Sequence, residues 1–346
     1  MNKNISTLTA ISFAAVLALA ACGGGGGGGD GGGSSSGGSS NNTGSSSTPP
    51  ASTATSANVT TPQYTADSAQ LAVFNTINQQ RQQCGFPALV ENTQLDQAAQ
   101  AHASYMGQNG GTVTDTEVAG NPGFTGVTYA DRAVHFGFPG SQTESPGSQT
   151  VYAGGVSAGF YTNAKLTEAA YGQAIAYGWL SGVYHIAVAV WPVTEIGVGW
   201  NETTFNGFPE VQSSLAIANM QPLAGNLPLT FPCQGTAGVP YMSGGETPMP
   251  PNTSGSFGMP VAVVGNSTDK IVLTSATYTD TSGNVVTLQI LNSATDPNKE
   301  LPPFEAVAYP ATPLTANTSY SVSLTGTRNG VAFSRNFTFT TGNIVG

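Results

Sequence analysis

The chain has 346 residues, enough for two domains of ordinary size. Only 8% of them are charged, the formal net charge is −10 and the isoelectric point lies near 4.5. Eight Lys plus Arg make no basic footprint for nucleic acid or anionic lipid headgroups, and a Gly-, Ser- and Thr-rich chain is unusual for a cytosolic enzyme.

The first element in chain order is a targeting segment. Lys3 opens it, and "LTAISFAAVLALA", Leu8 to Ala20, is an apolar stretch too short to span a bilayer as a mature helix. It ends in "LAAC", Leu19 to Cys22, which resembles the lipobox of bacterial lipoproteins. That resemblance implies a signal peptide over 1–21, cleavage before Cys22, acylation of the Cys22 thiol and a membrane reached through the lipid. Residues 22–60, largely Gly, Ser and Thr, have nothing to bury against their ordering entropy, so they read as a tether. As a coil such a tether reaches roughly 30–35 Å. Gly23, with no Asp at the second mature position, resembles lipoproteins sorted to the outer membrane of Gram-negative bacteria.

With Cys22 acylated, two of the three cysteines remain, Cys84 and Cys233. In an oxidising compartment they are expected to form one disulfide, worth roughly 4–5 kcal/mol by loop entropy; two free thiols are the alternative. Their spacing excludes a Cys-based zinc cluster, which needs close pairs.

The first folded region is expected over 61–235. "ADSAQLAVFNTINQQRQQCG" has helical spacing, with Asp67 as cap and Gly85 as stop. "ENTQLDQAAQAHASYMGQNGG" repeats it, with Leu95, Ala98, Ala99, His102 and Met106 on one stripe and Asn92 or Thr93 as cap. A shorter helix opens near Thr128. Another is expected over "NAKLTEAAYGQAIAYGWLSG", with Leu166, Ala169, Ala170, Ala174 and Tyr177 inward. "EIGVGWNET" and "SSLAIANMQ" read as strands. Helices and strands that do not alternate regularly give an α+β fold. Residues 236–257 are rich in Gly, Pro and Ser and read as a linker. Over 258–346, short strand-like runs split by turn signals read as an all-β sandwich. Its ending, "PATPLTANTSYSVSLTGTRNGVAFSRNFTFTTG", resembles the closing strands of bacterial immunoglobulin-like domains. Asp296 and Glu305 are isolated there and are expected on a solvated face.

The first region also carries a resemblance. In "FNTINQQRQQCGFPALVENTQLDQAAQAHASYM", Asn78, Arg81, Leu89, Leu95, Ala98 and Ala99 match the opening of the CAP superfamily. That superfamily includes cysteine-rich secretory proteins, insect antigen five and plant pathogenesis-related proteins. "GNPGFTGVTYADRAVHFGF" resembles its bacterial members, and "WLSGVYHIAVAVWPVTEIGVGW" resembles its "Wl.S..Hr..il.p….iGvG" block. The resemblance covers about 170 residues in the family's order. It implies an α-β-α sandwich with a cleft that holds two histidines and one or two acids, and in some members a divalent metal. His185 matches the second cleft histidine, and Glu144 takes the place of an acidic residue. Asp115 stands where the first histidine should be, with Glu117 after it. One imidazole with Asp115 and Glu144 makes a harder, looser site for zinc, calcium or magnesium, or a site for no ion at all. His102 is expected in the core, and His135 and Glu195 in structural roles.

Neither a G-x-S-x-G elbow nor H-E-x-x-H is present. Ser181 precedes His185 by one helical turn, but a pair with no orienting third group is weak evidence for a nucleophile. The first reading is therefore a non-enzymatic surface protein that binds a lipid, glycan or protein. The alternative is a hydrolase of peptide or envelope polymer, with His185 as general base oriented by Glu144. That alternative requires His185 to be open to solvent. Ligand and oligomeric state stay open.

Overall fold

The computed structural model describes residues 57–139 and 152–346; Cys22 and Glu144 lie outside the described residues, as does the expected tether 22–60 up to residue 56, whereas its last residues include a strand, Asn58–Val59, that pairs with Glu91 and Asn92. The first region runs β1 (Asn58–Val59), α1 (Ala69–Gln83), β2 (Val90–Asn92), α2 (Thr93–Gln108), α3 (Tyr129–His135), β3 (Tyr152–Tyr161), α4 (Glu168–Ser181), α5 (His185–Ala189), β4 (Val193–Phe205) and β5 (Phe208–Met220).

The helix starts follow from their caps. Ser68, rather than Asp67, caps α1 by accepting the Leu71 N–H at 3.1 Å. Asp67 sits one residue earlier at φ 62°. Asn92 caps α2 by accepting from Gln94 and Leu95, and the whole expected stripe from Leu95 to Met106 is buried. Thr128 and Asp131 form a reciprocal capping box on α3. The stripe expected on α4 is off: Leu166 lies before the helix and is 41% exposed, while Tyr171, Ile175 and Trp179 face inward. In "AAYGQAIAYGW" alanines fall on every side, so the large residues decide which side is buried.

Five strands pair in the order β1-β2-β4-β5-β3. Alternation along β5 sorts the layers. Leu215 and Ile217 join the core of α1 and α4, whereas Ala216 and Ala218 pack with Leu95, Ala99, Ala133 and Phe138 of the α2–α3 side. The sheet thus lies between two helical layers, as the resemblance implied. On β4, Gly197 and Gly199 face α2 so closely that a Cβ would run into its backbone at Leu95–Asp96 or Ala99–Gln100. Gly199→Ala is therefore expected to destabilise by about 1–3 kcal/mol by forcing helix and sheet apart, read as a lower urea midpoint.

The second region begins earlier than expected. It comprises β6 (Leu229–Phe231), β7 (Ala237–Val239), β8 (Met242–Ser243), β9 (Phe257–Gly258), β10 (Val261–Val264), β11 (Ile271–Asp280), β12 (Val285–Thr287), β13 (Gln289–Asn292), β14 (Glu305–Tyr309), β15 (Ser319–Arg328) and β16 (Val331–Thr341). One sheet is ordered β13-β14-β10-β6 and the other β12-β11-β15-β16-β7, with β8 and β9 paired separately. Phe337 and Phe339 point inward between exposed threonine and asparagine, as the alternation implied. The supposed linker 236–257 therefore supplies β7, β8 and β9, and β6 pairs with β10 although it falls inside 61–235. Its Gly and Pro residues shape tight turns between short strands. Cys84 and Cys233 are bonded, with Cα atoms 5.5 Å apart, and tie the end of α1 to the second region. Among the described residues no helix is long and apolar enough to cross a membrane.

Candidate functional site

His185 follows α4 after a turn over Gly182–Tyr184 and opens α5, where a strand was expected. The helical ladder continues from Ile186 N–H to the Gly182 carbonyl and from Val190 N–H to that of Ile186, and the strand starts at Val193, just past Pro192. A short apolar run does not separate a buried helix from a buried strand by periodicity. The imidazole is fully buried, at 0% exposure. Its Nδ1 lies 2.7 Å from Glu246 Oε2. Glu246 also accepts the N–H of Val183 at 2.5 Å and that of Tyr184 at 3.1 Å, so it acts as acceptor and Nδ1 carries the hydrogen.

Asp115 stands within electrostatic reach of His185. It is half-buried and accepts the Tyr129 hydroxyl at 2.5 Å, while that hydroxyl also meets Ser157 Oγ at 2.6 Å. Burial pushes its carboxyl up to about 7, against the pull of Tyr129 and of the neighbouring His185 and Arg132. Arg132 fixes the loop from behind, donating to the Asp115 carbonyl at 2.8 Å and lying 4.3 Å over the Tyr129 ring. Glu117 turns away from the cleft. It is buried, meets His102 Nδ1 at 3.0 Å and accepts the N–H of Thr125 at 2.6 Å. Burial alone would raise its carboxyl, but these bonds and Arg132 hold it below the ordinary range. His102 is thus a core residue, as expected. His135 is exposed on α3. Glu195 is buried and accepts from Asn58 and Asn92, a structural role. Buried Ser181 donates to the Gly178 carbonyl at 3.3 Å, a bond within its own helix.

Among the described residues no three His, Cys, Asp or Glu converge in a metal-holding arrangement. His185 Nδ1 is engaged by Glu246 and Asp115 Oδ1 by Tyr129. Glu144, the third proposed ligand, lies outside the described residues.

Sequence reasoning missed Glu246, and with it the face that closes the cleft. The second region brings a row of acids against the segment from Val183 to Trp191. The Tyr184 hydroxyl donates to Asp296 at 3.0 Å, and Trp191 Nε1 donates to Glu305 Oε2 at 2.8 Å. Asp296 and Glu305 are 5% and 0% exposed, which corrects the expectation of a solvated face. Glu300, also buried, acts on Asp115. The available signal was the setting of Glu246 in "GGETPMPP": an acid delivered by glycines and prolines is held on a turn of defined shape.

Glu305 yields a pH prediction. Burial raises its carboxyl to about 8, opposed by the Trp191 hydrogen bond. The folded state then holds a proton that the unfolded chain has released, so stability falls as pH rises from the ordinary glutamate range towards 8. One such proton is worth about 1.4 kcal/mol per pH unit. Glu305→Gln keeps the acceptor for Trp191 and is expected to flatten this slope, measured as melting temperature between pH 5 and pH 8. An unchanged slope would assign the proton elsewhere.

Against this geometry stands one comparison. Residues 74–212 match the model of CAP, the cysteine-rich secretory protein family. No curated protein matches the chain. The CAP match runs from Phe74 on α1 to Gln212 on β5, and so takes in Arg81, Asp115 and His185. It ends before the second region, so the His185 site of this chain is faced by acids from outside the matched stretch.

Proposed function

We propose that this protein is an extracytoplasmic CAP-type binding protein, held at the outer membrane of a Gram-negative bacterium by a lipid on Cys22, and that it acts by recognition without hydrolysis. One observation carries the reading: His185, the best-placed site residue in the sequence, is fully buried and its Nδ1 is engaged by Glu246. The hydrolase alternative needed that imidazole open to solvent. The family match supports a binding type in general, and the lipobox, the tether and the disulfide support the location. The ligand, a lipid, a glycan or a protein, then meets the outer surface. One groove there, of about 550 Å³, is lined by Tyr64, Gln97, Gln100 and Phe136. The second region serves as an immunoglobulin-like spacer or adhesion module.

The test is an assay of purified full chain on peptide and cell-wall substrates. No turnover is expected; turnover that disappears in His185→Ala would overturn the reading. For the anchor, Cys22→Ser is expected to move the protein from the membrane fraction to the soluble one.

A further inference from the structure

The acids on this seam are held in two different ways. Glu305 accepts the Trp191 indole on one oxygen, while its Oε1 has no hydrogen-bond partner, and its carboxyl is pushed towards the neutral form. Glu246 is cradled. Oε1 accepts from Val183 N–H at 2.5 Å; Oε2 accepts from Tyr184 N–H at 3.1 Å and faces His185 Nδ1 at 2.7 Å. Both oxygens are engaged, and all of these donors come from consecutive residues of the first region. Burying a carboxylate is costly unless such donors are already in place, and an apolar side chain would fill a mere joint at less cost.

The surroundings are shaped to the same end. A Cβ on Gly182 would lie 2.8 Å from both Glu246 Oε2 and His185 Nδ1, so the absent side chain is what lets the carboxylate approach. On the other side Gly245 has φ +105°, and its missing Cβ would collide with the Gly255 carbonyl. Only glycine permits both that backbone angle and that approach. Gly182 thus makes room for the acidic side chain, and Gly245 allows the tight turn that carries it.

We propose that the CAP cleft of this chain is a carboxylate-recognition site and that its resident ligand is the chain's own Glu246. The partner surface is the turn around Gly245–Glu246 of the second region, and the cleft works as the socket of an intramolecular joint. This rests on the cleft being closed and not catalytic; hydrolysis by the full chain would end that reading, whereas the experiment below tests the socket alone.

Glu246→Ala in the full chain empties the socket without removing its donors. Its melting temperature is expected to fall by roughly 5–10 °C. Acetate should restore part of that loss in a saturable way, with sodium chloride at equal ionic strength as the control. Wild type, its socket filled, should not respond. With three histidines in the chain, the ring signals can be resolved by NMR, and only that of His185 should move on acetate titration of the variant. A variant whose stability and His185 signal answer acetate no more than chloride overturns the proposal. Should Glu246→Ala fail to fold, Glu246→Gln decides: its amide sets a donor against N–H groups, so a lower melting temperature is expected. A value equal to wild type would show that shape alone fills the socket and would overturn the proposal.

Discussion

Arg81→Met is expected to destabilise the fold by roughly 3–5 kcal/mol, read as a fall in the urea midpoint at unchanged slope. The side chain of Arg81 is fully buried, at 0% exposure. It donates from Nε to the Pro87 carbonyl at 3.1 Å, and from its two terminal nitrogens to the carbonyls of Ala189, Trp191 and Val193 at 2.9 Å each. Those last three span the passage from the last residue of α5 to the first of β4, where the helical ladder has ended and the strand ladder is only beginning. Methionine fills the volume but leaves the carbonyls unpaired in a dry site. Burial pulls the guanidinium down to about 9, which still leaves it charged at neutral pH. Arg81→Lys is expected to recover little, because a single ammonium does not spread over carbonyls on both sides of a planar fork. A variant within 1 kcal/mol of wild type, an allowance typical of surface sites, would show that water or backbone movement takes over these carbonyls.

Loss of the disulfide has the largest expected effect. The bond joins residues 149 apart in sequence, so the loop-entropy relation gives about 5 kcal/mol for Cys84→Ser with Cys233→Ser. It also holds the end of α1 against the first residues of the second region. The double variant should melt at lower temperature and be cleaved by protease between β5 and β6 sooner than the oxidised wild type. Wild type treated with reductant should behave like the double variant. Equal melting curves for oxidised and reduced protein would mean that the shared apolar core and the acid seam hold the two regions together without the bond.

Much of the fold was legible because its signals are local. Asn92 and Thr128 are capping residues with the helix directly behind them, and Phe337 and Phe339 alternate with polar residues on a half-exposed strand. His102 lies in the core, as its place on the α2 stripe implies, and the family pattern leads to His185. What failed were features set by distant chain. Whether "HIAVA" is helix or strand depends on the ladder that Gly182 begins and Pro192 ends. The inward side of α4 depends on which large residue meets α1, and alanine spacing does not show it. Segment 236–257 has the composition of a linker because tight turns use linker residues. Glu246, Asp296 and Glu305 lie 61, 112 and 114 positions from their partners His185, Tyr184 and Trp191, and no local pattern announces such a pairing.

The seam has a practical consequence for dissecting the molecule. A fragment cut to residues 74–212 would retain His185, Tyr184 and Trp191 but lose Glu246, Asp296 and Glu305. It would also lose Cys233 and leave Cys84 as an unpaired thiol. Side chains that are dry in the whole chain would become a wet, sticky face with unmatched donors. Expressed alone, that fragment should associate with itself or precipitate. Behaviour seen in it, including any affinity for anions, would belong to the wound left by the cut and not to the native surface.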